Sequence, residues 1–158
     1  MKLITQPNSW SCTVAAAAMV FDCAIKEIIG VIGHDGSEVI SPHLKVPGCY
    51  AGFHIQEIVD VAFYFGCSMT KIEAAPVGTV DGKNEHEITE WGLFSNGKVR
   101  FDFYMKQGNG LLVGKAREYW HALAWDHETW QLYDPRGRVY NLDDCKIDVS
   151  AFWLIKSL

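Results

Sequence analysis

At 158 residues, 49% of them hydrophobic and 13% aromatic, the chain has the length and apolar content for one ordinary globular domain with a substantial core, which excludes intrinsic disorder. Fourteen basic against 19 acidic residues give a formal charge of -5, and no Lys/Arg run is present to track phosphates, so nucleic acid is not an expected partner. Five cysteines, an odd number spread along the chain, argue against a disulfide scaffold and fit a reducing interior.

The chain opens with a polar segment, Thr5 to Ser11, before any apolar run, which is not the basic-then-apolar order of a secretory signal. The longest uninterrupted apolar stretch, Val14 to Phe21, stops at Asp22 and is too short to span a bilayer. The expectation is cytoplasmic synthesis with no integral membrane segment.

Gln6-Pro7-Asn8-Ser9-Trp10-Ser11 is turn-forming and runs directly into Cys12-Thr13-Val14 and four alanines, a strong helix former. Ser9 or Ser11 can supply the N-cap, which puts Cys12 in the first helical turn. Unpaired amides and the positive end of the dipole there favour an anion, so the thiol is biased toward thiolate. Gln6 precedes Cys12 by six residues, enough chain to fold back and aim its carboxamide beside the sulfur. With the Cys12 N–H it would make a two-donor oxyanion hole.

The pattern predicts that this first helix runs from Cys12 to about Glu27. Ile25, Ile28, Ile29 and Ile32 continue a helical stripe toward Gly33, and Gly30 marks a bend. His34 to Phe53, rich in Gly and Pro, reads as a loop. Its His34, His43 and Cys49, with His54 just beyond, lack the spacing of a zinc motif, and no metal is expected. Ile55, Ile58, Val59, Ala62 and Phe65 define a second helix that stops at Gly66.

Beyond Cys67 the chain reads as strands and loops. Met69 to Ala75 is predicted as a strand, Glu85 to Trp91 as a short helix within a polar stretch, and Val99 to Met105 as an alternating strand or extended edge. Gly108 and Gly110 mark a turn before Leu111 to Gly114, and Val149 to Ile155 forms the closing strand. Between them, Tyr119 to Trp125 and Trp130 to Pro135 flank the polar break 126–129 as a β-hairpin. Pairing Trp125 with Trp130 sets His121 directly opposite Asp134 on one face. Helices first and antiparallel strands later give an α+β order in one domain, 1–66 mainly helical and 67–158 mainly β, with a cleft between the halves.

Gln6, Cys12, His121 and the pair Asp134-Pro135 resemble, in residue type and order, the papain-like cysteine peptidases. They resemble most closely the bacteriocin-processing (double-glycine leader) peptidases and their stand-alone relatives. The resemblance spreads over nearly the whole chain, although the Cys-Gly-Ser-Cys-Trp context of papain is absent and the orienting residue is Asp in place of Asn. It implies a papain-like fold, Cys12 as nucleophile, His121 as base, Asp134 as orienter and Gln6 as oxyanion donor. A peptide or protein substrate and no cofactor would follow. Trp10 and Trp120 flank the nucleophile and base in sequence and are candidates to wall the cleft. The same thiol chemistry serves peptide hydrolysis, deamidation or acyl transfer, and a binding domain that has lost turnover is the non-enzymatic alternative.

Overall fold

A computed structural model of the chain describes residues 1–41, 43–44, 51–73 and 97–158, without the side chains of 97–100. The predicted helix at 85–91, Cys49 and the end of the predicted strand at 74–75 lie outside the described residues. In chain order the elements are α1 (Cys12–Phe21), α2 (Ile25–Ile32), α3 (Ile55–Tyr64), β1 (Cys67–Glu73), α4 (Gly97–Met105), β2 (Gly110–Ala116), β3 (Tyr119–Asp126), β4 (Gln131–Asp134), β5 (Arg138–Asn141) and β6 (Asp148–Ser157). A single 3-10 turn, Leu142–Asp144, separates β5 from β6.

The architecture is a mixture of helices and an antiparallel sheet, with three helices leading and the sheet following. The strands lie in the order β1-β6-β2-β3-β4-β5, and every neighbouring pair is antiparallel. Alternation along the strands divides the core in two. Leu111, Ala122, Ala124, Tyr133 and Ile155 face α1 to α3, whereas Leu112, Leu123, Trp125, Leu132 and Phe152 face α4.

Helix α1 is apolar all round because it is enclosed: Val14 to Met19 are all buried. Its alanines meet Ala122 and Ala124 of β3 in the same cluster, and small residues on both sides allow the close approach that carries the start of α1 to the sheet. The expected continuation through Glu27 does not occur. Asp22 takes a left-handed conformation (φ 50) and ends α1, and α2 begins anew with Glu27 Oε1 accepting the Ala24 N–H at 3.0 Å. Gly30 lies inside α2, which continues unbroken through it.

The segment predicted as an extended edge, Val99 to Met105, is instead the end of helix α4. Val99, Phe101, Phe103 and Met105 alternate in sequence, but Phe101 and Met105, one helical repeat apart, are buried while Phe103 between them is exposed. The buried Trp125 indole donates to the Met105 carbonyl at 2.8 Å, an acceptor that a helix C-terminus leaves free and a paired strand does not.

The β3–β4 hairpin forms, but its register differs from the expected one by two residues. Trp125 pairs with Leu132 and Asp126 with Gln131. Asp126 stays in the strand and organises the turn: its carboxylate accepts from the Met1 ammonium at 3.0 Å and from the Glu128 N–H at 3.1 Å. Trp130 leaves the strand for a left-handed turn position (φ 59), where its ring still meets Trp125 edge to face at 5.9 Å. A two-residue shift preserves the face of every side chain, so His121 and Asp134 remain on one side of the sheet as diagonal neighbours and not as an opposed pair.

Two glycines of β2 are fixed by contact. A Cβ on Gly110 would lie 2.3 Å from the Trp153 carbonyl oxygen, and one on Gly114 would lie 2.2 Å from that of Asp148. Gly110 therefore belongs to the strand and not to a preceding turn. Gly114 pairs with His121 on one side and flanks an irregularity in the β2–β6 ladder on the other, where Ser150 Oγ donates to the Val113 carbonyl at 2.9 Å.

Candidate active site

The site is assembled where β4 parts from β3. Their ladder ends at Ala124–Tyr133, which leaves the β3 edge at 121–122 uncovered by β4. The N-terminus of α1 fills this gap. Cys12 is its first residue, ahead of the first intrahelical bond, Ala15 N–H to Ser11 O at 3.0 Å, so the amides of the opening turn have no helical partner. Ser11 is the residue before the helix, as expected, but its side chain does not cap it; the hydroxyl donates to Asn8 Oδ1. Asn8 Oδ1 also accepts the Trp10 N–H at 3.2 Å, so Asn8, read from sequence only as a turn former, holds the loop that delivers Cys12.

His121 is 3% exposed, and its Nε2 lies 2.9 Å from Asp134 Oδ1. That carboxylate oxygen also accepts the Arg136 N–H at 2.8 Å, which anchors it in the turn. With Nε2 engaged, Nδ1 is the ring nitrogen left for the sulfur. Burial alone would raise the Cys12 thiol, but a hydrogen bond and the charge of His121, with help from the Ala122 N–H and Thr13, hold it below its ordinary value. The imidazole responds in the opposite sense. Burial would depress it, yet hydrogen bonds and charge from Asp134 and Cys12 raise it to about 9. Asp134 is held below the usual carboxylate range against its own burial, by His121 and by the Arg136 N–H. Thiol, imidazole and carboxylate thus form one chain in which each group favours the charged form of the next.

Gln6 is tied to the same corner from the other side: its backbone N–H donates to the Pro135 carbonyl at 2.8 Å. The Gln6 Nε2 donates to the Asn8 carbonyl at 2.5 Å, leaving its second N–H available, and its Oε1 is buried without a hydrogen-bond partner among the described residues.

Beside the imidazole opens a cleft of about 710 Å³ into which His121 and Asp134 face, with Tyr119 and Tyr140 as its aromatic wall. Cys12 is not among the residues lining it and meets His121 from the helix side. Neither expected wall residue lines this cleft. Trp10 is half-buried against the helical cluster, with its Nε1 donating to the Asp35 carbonyl at 3.3 Å, and Trp120 is 55% exposed beneath the Lys115 ammonium.

Two of the three histidines weighed for a metal, His34 and His54, have other engagements. His34 Nε2 lies 2.5 Å from Glu57 Oε1 while its ring stacks on Phe53, and His54 Nδ1 accepts the Gln56 N–H at the start of α3. Among the described residues no group of three or more His, Cys, Asp or Glu side chains is placed to hold a metal ion, and no helix is long and apolar enough to cross a membrane. The four described cysteines, Cys12, Cys23, Cys67 and Cys145, are free thiols. Compared with known proteins, the chain matches no protein-family model and no curated relative.

Proposed function

We propose that the protein is a papain-like cysteine peptidase that hydrolyses a peptide bond through a thioester acyl-enzyme. The observation that carries this reading is the His121 ring, which holds Asp134 at 2.9 Å through Nε2 while its charge and hydrogen bonding lower the Cys12 thiol. An ordinary thiol is almost wholly protonated at neutral pH, and this arrangement supplies the thiolate the chemistry needs.

In the proposed cycle the Cys12 thiolate attacks the scissile carbonyl carbon. The Cys12 N–H and the free N–H of the Gln6 carboxamide donate to the resulting oxyanion. As the tetrahedral intermediate collapses, His121 gives its proton to the departing amine and the C–N bond breaks, leaving a thioester on Cys12. His121 then takes a proton from water, whose oxygen adds to the thioester carbon, and expulsion of the thiolate restores the ion pair. Asp134 keeps the imidazole oriented and stabilises its charge throughout. A thiol nucleophile of this kind works in a reducing compartment, in keeping with a cytoplasmic protein whose described cysteines are free.

The test is a peptide-library cleavage assay with Cys12→Ala as control, combined with peptide mapping of iodoacetamide labelling near pH ~6, where an unperturbed thiol is protonated. The reading expects cleavage that vanishes in Cys12→Ala and fast labelling of Cys12 that vanishes in His121→Ala. Uniformly slow labelling of all the cysteines, with no cleaved peptide, would overturn it in favour of a binding domain.

A further inference from the structure

The cleft beside His121 differs in charge from the molecule that contains it. Arg117, Arg136, Arg138 and Lys146 line it against Asp144, while the Asp134 carboxylate on its floor is answered by His121. The whole chain has only 14 basic residues and carries a net charge of -5, so four cations around one cleft invert the average surface. They converge from the β2–β3 turn, the β4–β5 turn with the start of β5, and the segment before β6. No stretch of sequence shows the cluster, because only the antiparallel topology collects it.

Two details indicate a built feature. Arg117 occupies the two-residue β2–β3 turn with φ 63, a left-handed conformation in which Gly or Asn is the usual choice, so an arginine is retained there against backbone preference. The Arg136 guanidinium rests on the Tyr119 ring at 4.8 Å, which fixes its direction. None of the four cations has an ion-pair partner among the described residues. Apolar and aromatic side chains, Tyr119, Val139, Tyr140 and Ile147, lie between them. A peptide that alternates carboxylate and apolar side chains matches such a lining. A nucleic-acid backbone calls for an open stripe of cations, and this set closes around a single cleft.

We propose that this cleft, which reaches the site from the Asp134 side of the imidazole, seats an acidic segment of the peptide substrate, with its carboxylates on Arg117, Arg138 and Lys146. The inference rests on the peptidase reading, and it is tested by binding so that the two can fail separately. Fluorescein-labelled peptides of equal length carrying Glu, Gln or Lys at alternate positions are titrated by polarisation against the full-length Cys12→Ala protein. Glu peptides are expected to bind at least about tenfold more tightly than Gln peptides at low salt, with the margin shrinking toward about 0.15 M as screening sets in. The R117E/R138E/K146E variant should erase or reverse the preference. All three side chains are exposed, and R117Q/R138Q/K146Q, which should remove it without reversal, serves if the charge-reversed protein fails to fold. Equal affinity for Glu and Gln peptides, a preference that survives the triple substitutions, or tighter binding of a single-stranded oligonucleotide than of the Glu peptide would overturn the proposal. A Glu preference in a protein that cleaves no peptide would support the cleft assignment while removing the peptidase reading.

Discussion

Replacing Asp134 by Asn removes one charge and almost nothing else. The side chain keeps its shape, and its oxygen can still accept from His121 Nε2 and from the Arg136 N–H, now 2.9 and 2.8 Å away. In the native protein the imidazole is raised from 6.5 to about 9 in spite of burial. That corresponds to about 3 kcal/mol in favour of the imidazolium, shared between the carboxylate and the thiolate. Taking roughly half for the carboxylate, Asp134→Asn should lower the imidazole pKa by about 1 and let the thiol rise in turn. The assay is the iodoacetamide rate at Cys12 from about pH 5 to 10, mapped by peptide mass, because the thiolate alone reacts. Cys23 is the internal reference, its thiol pushed up to about 11 by burial and by Glu27 and Asp22. The variant profile should move to higher pH, with a rate near pH 6 lower by roughly tenfold and an unchanged limiting rate in alkali. Superimposable profiles, or a native Cys12 that reacts no faster than Cys23, would refute the reasoning.

His121 also links the site to stability. Its folded value of about 9 lies above the 6.5 of an exposed imidazole, so its contribution is complete below about 6.5 and is lost as pH rises through about 9. Urea unfolding of the native protein and His121→Gln should show a stability gap that narrows across this window; a gap that widens would contradict the assignment. Gly114→Ala would drive a methyl group against the Asp148 carbonyl, 2.2 Å from the ideal Cβ position. A destabilisation of about 1–3 kcal/mol is expected, read as a drop in Tm of about 2–4 °C per kcal/mol, together with slower Cys12 alkylation because Gly114 pairs with His121. For Gln6→Ala, turnover of a p-nitrophenyl ester should fall by about 100- to 1000-fold in kcat with little change in KM if the carboxamide donates to the oxyanion. A change confined to KM would assign it to ground-state binding.

The helical opening of the chain was readable because the signals were local. The turn-forming stretch before an alanine run places Cys12 at a helix start, and Gly66 follows the Ile55 stripe as a stop. The hairpin that carries His121 and Asp134 was readable from two apolar runs across a polar break. Its register was not, because Asp126 is held in the last position of β3, where its carboxylate meets the Met1 ammonium, a partner 125 residues away. Helix α4 was concealed for a related reason: an alternating sequence also contains an i, i+4 pair, and the Trp125 indole, twenty residues away, selects the helix by requiring the Met105 carbonyl. The four residues of the candidate site were identifiable by type and order. Asn8, the Ala122 amide and the cationic cleft were not, because their significance arises only from tertiary neighbours.

The place of β6 between β1 and β2 has a consequence for how the molecule comes into being. The last strand of the sheet fills an interior slot, so on a ribosome β1 and the β2–β5 ladder cannot join into one sheet until residues 148–157 emerge. Gly114 of β2 pairs with His121 on one side and with Val149 of β6 on the other, so the sheet behind the imidazole is complete only once this strand is in place.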